Sequence, residues 1–123
     1  MELSTCWARR TIHVVGLGFD PTAPALREGL ARLAELREER AERIAHSLDR
    51  AGIHGSLEGA RAVARGPLLG RNHFARFLWR HLNLRHVGEV YRRYLVHNRP
   101  GYVHVAWPAL EDCLLYTSDA ADE

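Results

Sequence analysis

The sequence predicts an α/β domain in which a block of helices lies between two short strand regions. Three observations support this fold class. An apolar, β-branched run occupies the start of the chain, helical spacing of apolar residues follows from residue 25, and strand-like alternation returns at residues 102–107. The 123 residues are 46% hydrophobic and 26% charged, which is typical of one globular domain and not of a disordered chain.

Two strands are expected at residues 3–7 and 11–17, joined by a polar turn. The second strand is an almost continuous apolar run, as in sheets that are buried on both faces. His13 interrupts this run. It is either a hydrogen-bonded core residue or, together with Glu2 on the adjacent strand, a ligand of zinc, manganese or iron.

The spacing of apolar residues predicts a long helix over residues 25–51, which Gly52 ends as a left-handed cap. Arg37 falls in the middle of the apolar stripe of this helix. Two interpretations of Arg37 stay open. Its stem lies along the core with the charged end in water, or its guanidinium points into a ligand cleft.

Shorter helices follow, with Ser56 expected as the N-cap of residues 57–64 and Asn72 as the N-cap of the next helix. A further helix is expected near residues 87–95, then a strand at 102–107 and a helix start at 108–112.

Arg71 and His73 flank the start of the second of these helices. Backbone N–H groups and the positive end of the helix dipole favour an anion at such a position. An arginine and a histidine would add charge-assisted donors to this site. The alternative is an ordinary helix start followed by polar residues.

The last eleven residues, CLLYTSDAADE, differ in style from the rest and resemble the translation of a sequencing adapter, so we exclude them from the fold. Without their three acidic residues, the formal charge rises from +2 to +5, which is compatible with a phosphorylated ligand. Two cysteines predict no disulfide framework. No serine or cysteine lies in a nucleophile-elbow motif, so acyl-enzyme chemistry has no support.

Several separate stretches resemble one family. MELSTCWARRTIHVVGLGFDP resembles the "GxExS…xHxxGxxxDP" segment of PHP-domain (polymerase and histidinol phosphatase) metal-dependent phosphoesterases. ERAERIAHSLDRAGI, GRNHFARFL and YRRYLVHNRPGYVHVAW resemble the helical insertion of one branch of that family. This branch includes nucleoside 3′,5′-bisphosphate phosphatases and a 5′→3′ exoribonuclease that acts on short RNA.

The resemblance implies a fragment of a distorted (β/α)7 barrel. Residues 1–20 would be barrel strands, 21–99 the helical insertion and 100–112 the return strand and helix start, with 113–123 an artefact. Two or three divalent ions (Mn, Zn, Fe or Mg) are implied as cofactors.

By the same resemblance, Glu2 and His13 match metal ligands, and Arg71, His73 and Arg99 are placed near the substrate phosphate. No catalytic side chain is implied.

The implied parent is a cytoplasmic enzyme, without a membrane partner, that hydrolyses phosphate esters of nucleotides or short RNA. The family's other ligands stand in an H-x-H strand, an "AHP" motif and an Asp-x-His pair outside this sequence, so we expect an internal fragment that is inactive alone. One alternative keeps the barrel but acts on histidinol phosphate or serves a polymerase. The other is a non-enzymatic helical module that binds RNA or a protein through its arginines.

Overall fold

The structure is a computed structural model that describes residues 2–18 and 20–114. The described chain consists of two compact units. The first takes its residues from Met1–Leu36 and Val105–Glu123, and the second is Arg37–His104. The division of the sequence at residues 20/21 and 99/100 stays a prediction.

The chain begins with an antiparallel hairpin of β1 (Glu2–Trp7) and β2 (Arg10–Val15). Ala8 and Arg9 form its two-residue turn with φ angles of 48° and 64°. Both residues are in the left-handed conformation, as in a type I′ turn, whose twist matches the right-handed twist of the flanking strands. The predicted strand pair is therefore confirmed, although β2 ends two residues earlier than expected.

The expectation that β2 is buried on both faces is wrong. Burial alternates along the strand, with Ile12 and Val14 half-buried and His13 and Val15 exposed. The reason is that β1 is the single strand that pairs with β2 in the described part of the chain. His13 is thus accessible, and its interpretation as a core residue is wrong for this structure.

The long helix is confirmed as α1 (Pro24–Arg50). Gly52, with a φ of 90°, follows its end as predicted. The N–H of Ile53 donates to the carbonyl of Leu48 at 2.9 Å, which closes the last turn. The stripe of apolar residues is buried at Leu26, Leu33, Leu36, Ala41, Ile44 and Leu48.

Three further helices lie in the second unit: α2 (Ser56–Val63), α3 (Arg71–His81) and α4 (Val87–Val90). A π-helical turn, Tyr91–Leu95, continues directly from α4. The sequence pattern predicted a helix here but did not distinguish its π-helical part.

Both predicted N-caps are wrong. Gly55, with a φ of 76°, precedes α2, so Ser56 is the first residue of that helix. Gly70 precedes α3, so Asn72 is its second residue. Glycine adopts the left-handed conformation of Gly55 without strain, and neither Gly55 nor Gly70 has a side chain that could accept a capping hydrogen bond.

Residues 102–107 do not form the expected strand. Residues 102–107 are extended, but the contacts to β1 come just after them. These contacts are a single parallel bridge between Cys6 and Ala109 and a 2.8 Å hydrogen bond from the Cys6 N–H to the Pro108 carbonyl. A strand needs a continuous ladder of such bonds. Residues 110–114 are helical, close to the expected helix start, and the rest of the adapter-like tail lies outside the described residues.

Each unit has its own core. The first unit buries Leu3, Leu33, Leu36, Trp107 and Cys113. The second unit has the larger core, made of Ala41, Ile44, Leu48, Ile53, Ala60, Leu69, Phe74, Ala75, Leu78, Val90 and Leu95. None of the helices described here is long and apolar enough to cross a membrane.

Candidate metal and phosphate sites

Glu2 and His13 lie together at the open end of the hairpin. The register pairs Ser4 with His13 and Glu2 with Val15, so Glu2 and His13 are diagonal neighbours on one face of the sheet. Oε1 of Glu2 lies 3.4 Å from Nδ1 of His13, and Oγ of Ser4 is equally close to this nitrogen. The side chains of Glu2 and His13 are 59% and 57% exposed, so both are open to a ligand.

The chemistry of this pair fits a divalent metal ion. A tetrahedral ion with bonds of roughly 2.1 Å separates two of its ligand atoms by about 3.4 Å, close to the distance between Glu2 and His13. Within residues 2–18 and 20–114, however, no group of three or more Cys, His, Asp or Glu side chains is arranged to hold a metal. The pair can supply two ligands of a larger set.

A similar pair elsewhere shows that proximity alone does not select metal binding. In the second unit, Nδ1 of His54 contacts Oδ1 of Asp49, and both side chains are exposed. A carboxylate beside an imidazole therefore occurs twice in the described chain. The distance between Glu2 and His13 therefore does not by itself distinguish a metal site from a contact without a metal.

His73 caps the start of α3. The Gly70 N–H donates to Nδ1 of His73 at 3.0 Å, and the His73 N–H donates to the Gly70 carbonyl at 3.1 Å. Because Nδ1 accepts this bond, the neutral ring carries its proton on Nε2. His73 can thus present an N–H donor to an anion at the end of α3.

The structure brings Arg71 to the same helix end. Arg71 is the first residue of α3, and its Nη1 donates to the carbonyl of Leu95 at 3.5 Å. Arg99 lies in the exposed turn that follows Leu95. Among the described residues, no hydrogen bond or ion pair joins the guanidinium of Arg99 to Arg71 or His73.

The sequence-based prediction missed a further arginine of this region. Arg40 is half-buried on α1, three residues after Arg37. Burial, together with the positive charges of Arg71 and Arg37, lowers the pKa of Arg40 to about 10, so its guanidinium is still charged at neutral pH. We call Arg37, Arg40 and Arg71 the arginine cluster. The spacing of Arg37 and Arg40 on one side of α1 is the signal that could have revealed it.

No family model matches the chain. Curated proteins do: the chain is 43% identical over 115 residues to a 3′,5′-nucleoside bisphosphate phosphatase of Chromobacterium violaceum. It is 40% identical over 114 residues to the 5′-3′ exoribonuclease Rnm of Escherichia coli. Each alignment covers 93% of this chain, but 40% of the phosphatase and 39% of the exoribonuclease.

A solved structure is also similar. It is described as an amidohydrolase from Chromobacterium violaceum with bound sulfate and no metal, and it matches the chain with a TM-score of 0.88 and 42% identity. The match covers 97% of this chain and 42% of that one. The chain is therefore homologous, over nearly all of its length, to about two-fifths of a phosphatase and of an exoribonuclease.

Proposed function

We propose that the chain is part of a metal-dependent phosphoesterase that hydrolyses phosphate esters of nucleotides or short RNA. The observation that carries this proposal is the identity of 43% and 40%, over 93% of the chain, to a nucleotide phosphatase and an exoribonuclease. Since these relatives are enzymes, the same observation disfavours a non-enzymatic helical module. The homology to these enzymes also supports Glu2 and His13 as metal ligands, which the distance between them does not do by itself.

Glu2 and His13 would hold part of a centre of two or three divalent ions. When bound, such ions supply Lewis-acid activation of the phosphoryl group and of the attacking water. The carboxylate of Glu2 brings a negative charge and His13 a neutral imidazole, the usual donors for these ions. Ser4, whose Oγ lies 3.4 Å from Nδ1 of His13, would help to orient the ring.

Arg71 and His73 would bind the substrate phosphate at the start of α3. The guanidinium of Arg71 and the Nε2–H of His73 would donate to phosphoryl oxygens, beside the positive end of an eleven-residue helix. These donors would also neutralise the charge that develops during phosphoryl transfer. Arg99 would add positive charge from its exposed turn. The similar solved structure also contains a bound oxyanion, sulfate.

The test is hydrolysis by the complete protein that the surrounding gene encodes. We expect release of phosphate or nucleotides from a nucleoside 3′,5′-bisphosphate or a short RNA in the presence of manganese, and loss of this activity in E2Q and H13Q. Arg27→Gln, an exposed change on α1, is the matched control. Full activity of both ligand variants would contradict the assigned metal site.

We expect the 123-residue chain by itself to be inactive. Two ligands do not compensate the cost of assembling a metal cluster, so the chain should hydrolyse neither substrate. Turnover by the purified chain, retained after chromatography and lost in H13Q, would show that this expectation is wrong.

A further inference from the structure

We propose that the exposed turns at residues 96–102 bind the base of a nucleotide, which stacks on the rings of His97 and Tyr102 beside Arg99. The proposal rests on the proposed function in naming a nucleotide as the ligand. It adds a site for the base to the proposed sites for metal ions and phosphate. Binding of the base can be measured without hydrolysis.

The rings of His97 and Tyr102 form an aromatic pair at the surface of the second unit. Their centroids lie 5.2 Å apart at an interplanar angle of 77°, which is an edge-to-face contact. In such a contact the edge of one ring covers a single face of the other. Tyr102 is 36% exposed, and His97 is exposed as well. The pair therefore offers ring surface to a ligand, and exposed aromatic rings stack on nucleobases of any kind.

Two consecutive β-turns present these rings. The Arg99 N–H donates to the Val96 carbonyl at 3.0 Å and closes the first turn, which contains His97. The Tyr102 N–H donates to the Arg99 carbonyl at 3.0 Å and closes the second. Pro100 takes the second position of the latter turn, where its fixed φ angle is favoured. Arg99 thus belongs to both turns, and each turn contributes one ring.

Gly101 attaches the second turn to the core of the second unit. It is buried, and its N–H donates to the Tyr94 carbonyl at 2.6 Å. A Cβ at this position would lie 2.6 Å from the same oxygen and 2.9 Å from Cδ2 of Leu95, so the close approach requires glycine. Because the backbone beside Tyr102 is already fixed, a ligand that stacks on this ring does not have to order the turn.

The same turns follow directly on the proposed phosphate site. The carbonyl of Leu95 accepts a hydrogen bond from Nη1 of Arg71 at 3.5 Å, and the first turn begins at the next residue, Val96. Residues 96–104 contain the exposed Arg99 and no acidic residue, a charge that favours an anionic ligand. A nucleotide carries a flat base and a phosphate on one sugar. Two aromatic rings beside an exposed arginine therefore match both of its groups.

The test is titration of the 123-residue chain with 2-aminopurine riboside 5′-monophosphate, a nucleotide whose fluorescent base is quenched when it stacks. We expect quenching that saturates with protein concentration. Y102A should weaken the affinity roughly 5- to 150-fold, whereas Y102F, which keeps the ring, should bind as the unchanged chain does. Ribose 5-phosphate lacks the base, so its effect on Tm should be the same in Y102A and the unchanged chain.

Trp79→Ala is the matched control, since Trp79 is an aromatic residue of α3 with a similar exposure of 39% and lies outside the turns. W79A should quench the nucleotide as the unchanged chain does. H97A is measured beside Y102A, so the result does not depend on the folding of one variant, and it should also weaken binding. Equal affinities of W79A, H97A and Y102A for the nucleotide, or equal affinities of the unchanged chain for the nucleotide and ribose 5-phosphate, would overturn the proposal.

The two proposals fail in different ways. Quenching of the nucleotide by the chain, lost in Y102A, without hydrolysis by the complete protein would contradict the proposed function alone. Hydrolysis by the complete protein, with a KM for a nucleotide substrate that neither Y102A nor H97A changes, would contradict the site for the base alone.

Discussion

The N–H of Gly70 donates a 3.0 Å hydrogen bond to Nδ1 of His73, so the imidazole that we propose for substrate binding also caps a helix. In a capping box, the side chain of the third helical residue accepts a bond from the N-cap N–H, a position that Glu or Gln usually fills. His73 takes this position in α3. Its structural role must be separated from any role in binding phosphate.

His73→Ala should lower the free energy of unfolding by about 1 kcal/mol, because the Gly70 N–H loses its acceptor. His73→Gln should retain most of this stability, since an amide oxygen can accept the same bond. Urea denaturation measures both. His104→Ala, at an exposed position, is the control and should stay within about 0.5 kcal/mol. If Gln is as destabilising as Ala, the capping interpretation is wrong.

The glycines of α2 and α4 should respond in opposite directions to alanine. A Cβ on Gly59 would lie 2.2 Å from Cδ2 of Phe77, so G59A should lower stability by about 1 to 3 kcal/mol as α2 and α3 separate. A Cβ on Gly88 would meet nothing within 4 Å, so G88A should add roughly 0.5 to 1 kcal/mol of helix propensity. Thermal unfolding of both variants tests this; a stabilising G59A would contradict the packing of Gly59 against Phe77.

Removal of two buried hydroxyl groups, one at a time, should change the stability in opposite directions. Oγ of Ser56 is buried and has no hydrogen-bond partner among the residues that the structure describes, so S56A should raise stability by about 1 kcal/mol. Oγ1 of Thr5 donates to the Ile12 carbonyl at 2.9 Å, so T5V should lower stability by a similar amount. Chemical denaturation distinguishes them, and a destabilising S56A would reveal a partner for that hydroxyl.

The parts of the fold that could be predicted from the sequence depend on local patterns. The period of α1 extends over seven turns and ends at Gly52, whose left-handed conformation is a local property. The hairpin follows from two apolar runs and a short polar turn. Residues 102–107 have the right alternation but lack the partner strand that a ladder of hydrogen bonds requires.

Prediction of the candidate sites was also limited to features that depend on local sequence patterns. The sequence pattern alone left His13 open between core and ligand, because its exposure depends on which strands flank β2. For Arg40, the spacing from Arg37 on α1 was the one available signal, because its half-buried state and its interaction with Arg71 depend on where α3 packs. The start of α3 was misplaced by two residues because the cap is formed by the side chain of His73 and not by that of the N-cap residue.

Arg40 should also make stability depend on pH in the alkaline range. Its pKa is about 10 in the folded chain, well below its ordinary value, because of burial and the charges of Arg71 and Arg37. A base whose pKa is lower in the folded state binds fewer protons there than in the unfolded state. Below pH 10 the guanidinium is charged in both states, and the full cost of its burial and of the repulsion is present. Between the pKa of Arg40 in the folded chain and its pKa in the unfolded chain, this cost is relieved. The free energy of unfolding therefore rises with pH in this range.

R40Q removes this cost at every pH. The difference in the free energy of unfolding between R40Q and the unchanged chain should therefore be constant from about pH 7 to about pH 9, and above pH 10 the unchanged chain should gain stability relative to R40Q. Urea denaturation across this range measures it. R76Q should show no such trend, because Arg76 is exposed. An R40Q difference that stays constant up to about pH 11 would show that burial and the neighbouring charges do not lower the pKa of Arg40 in the folded chain.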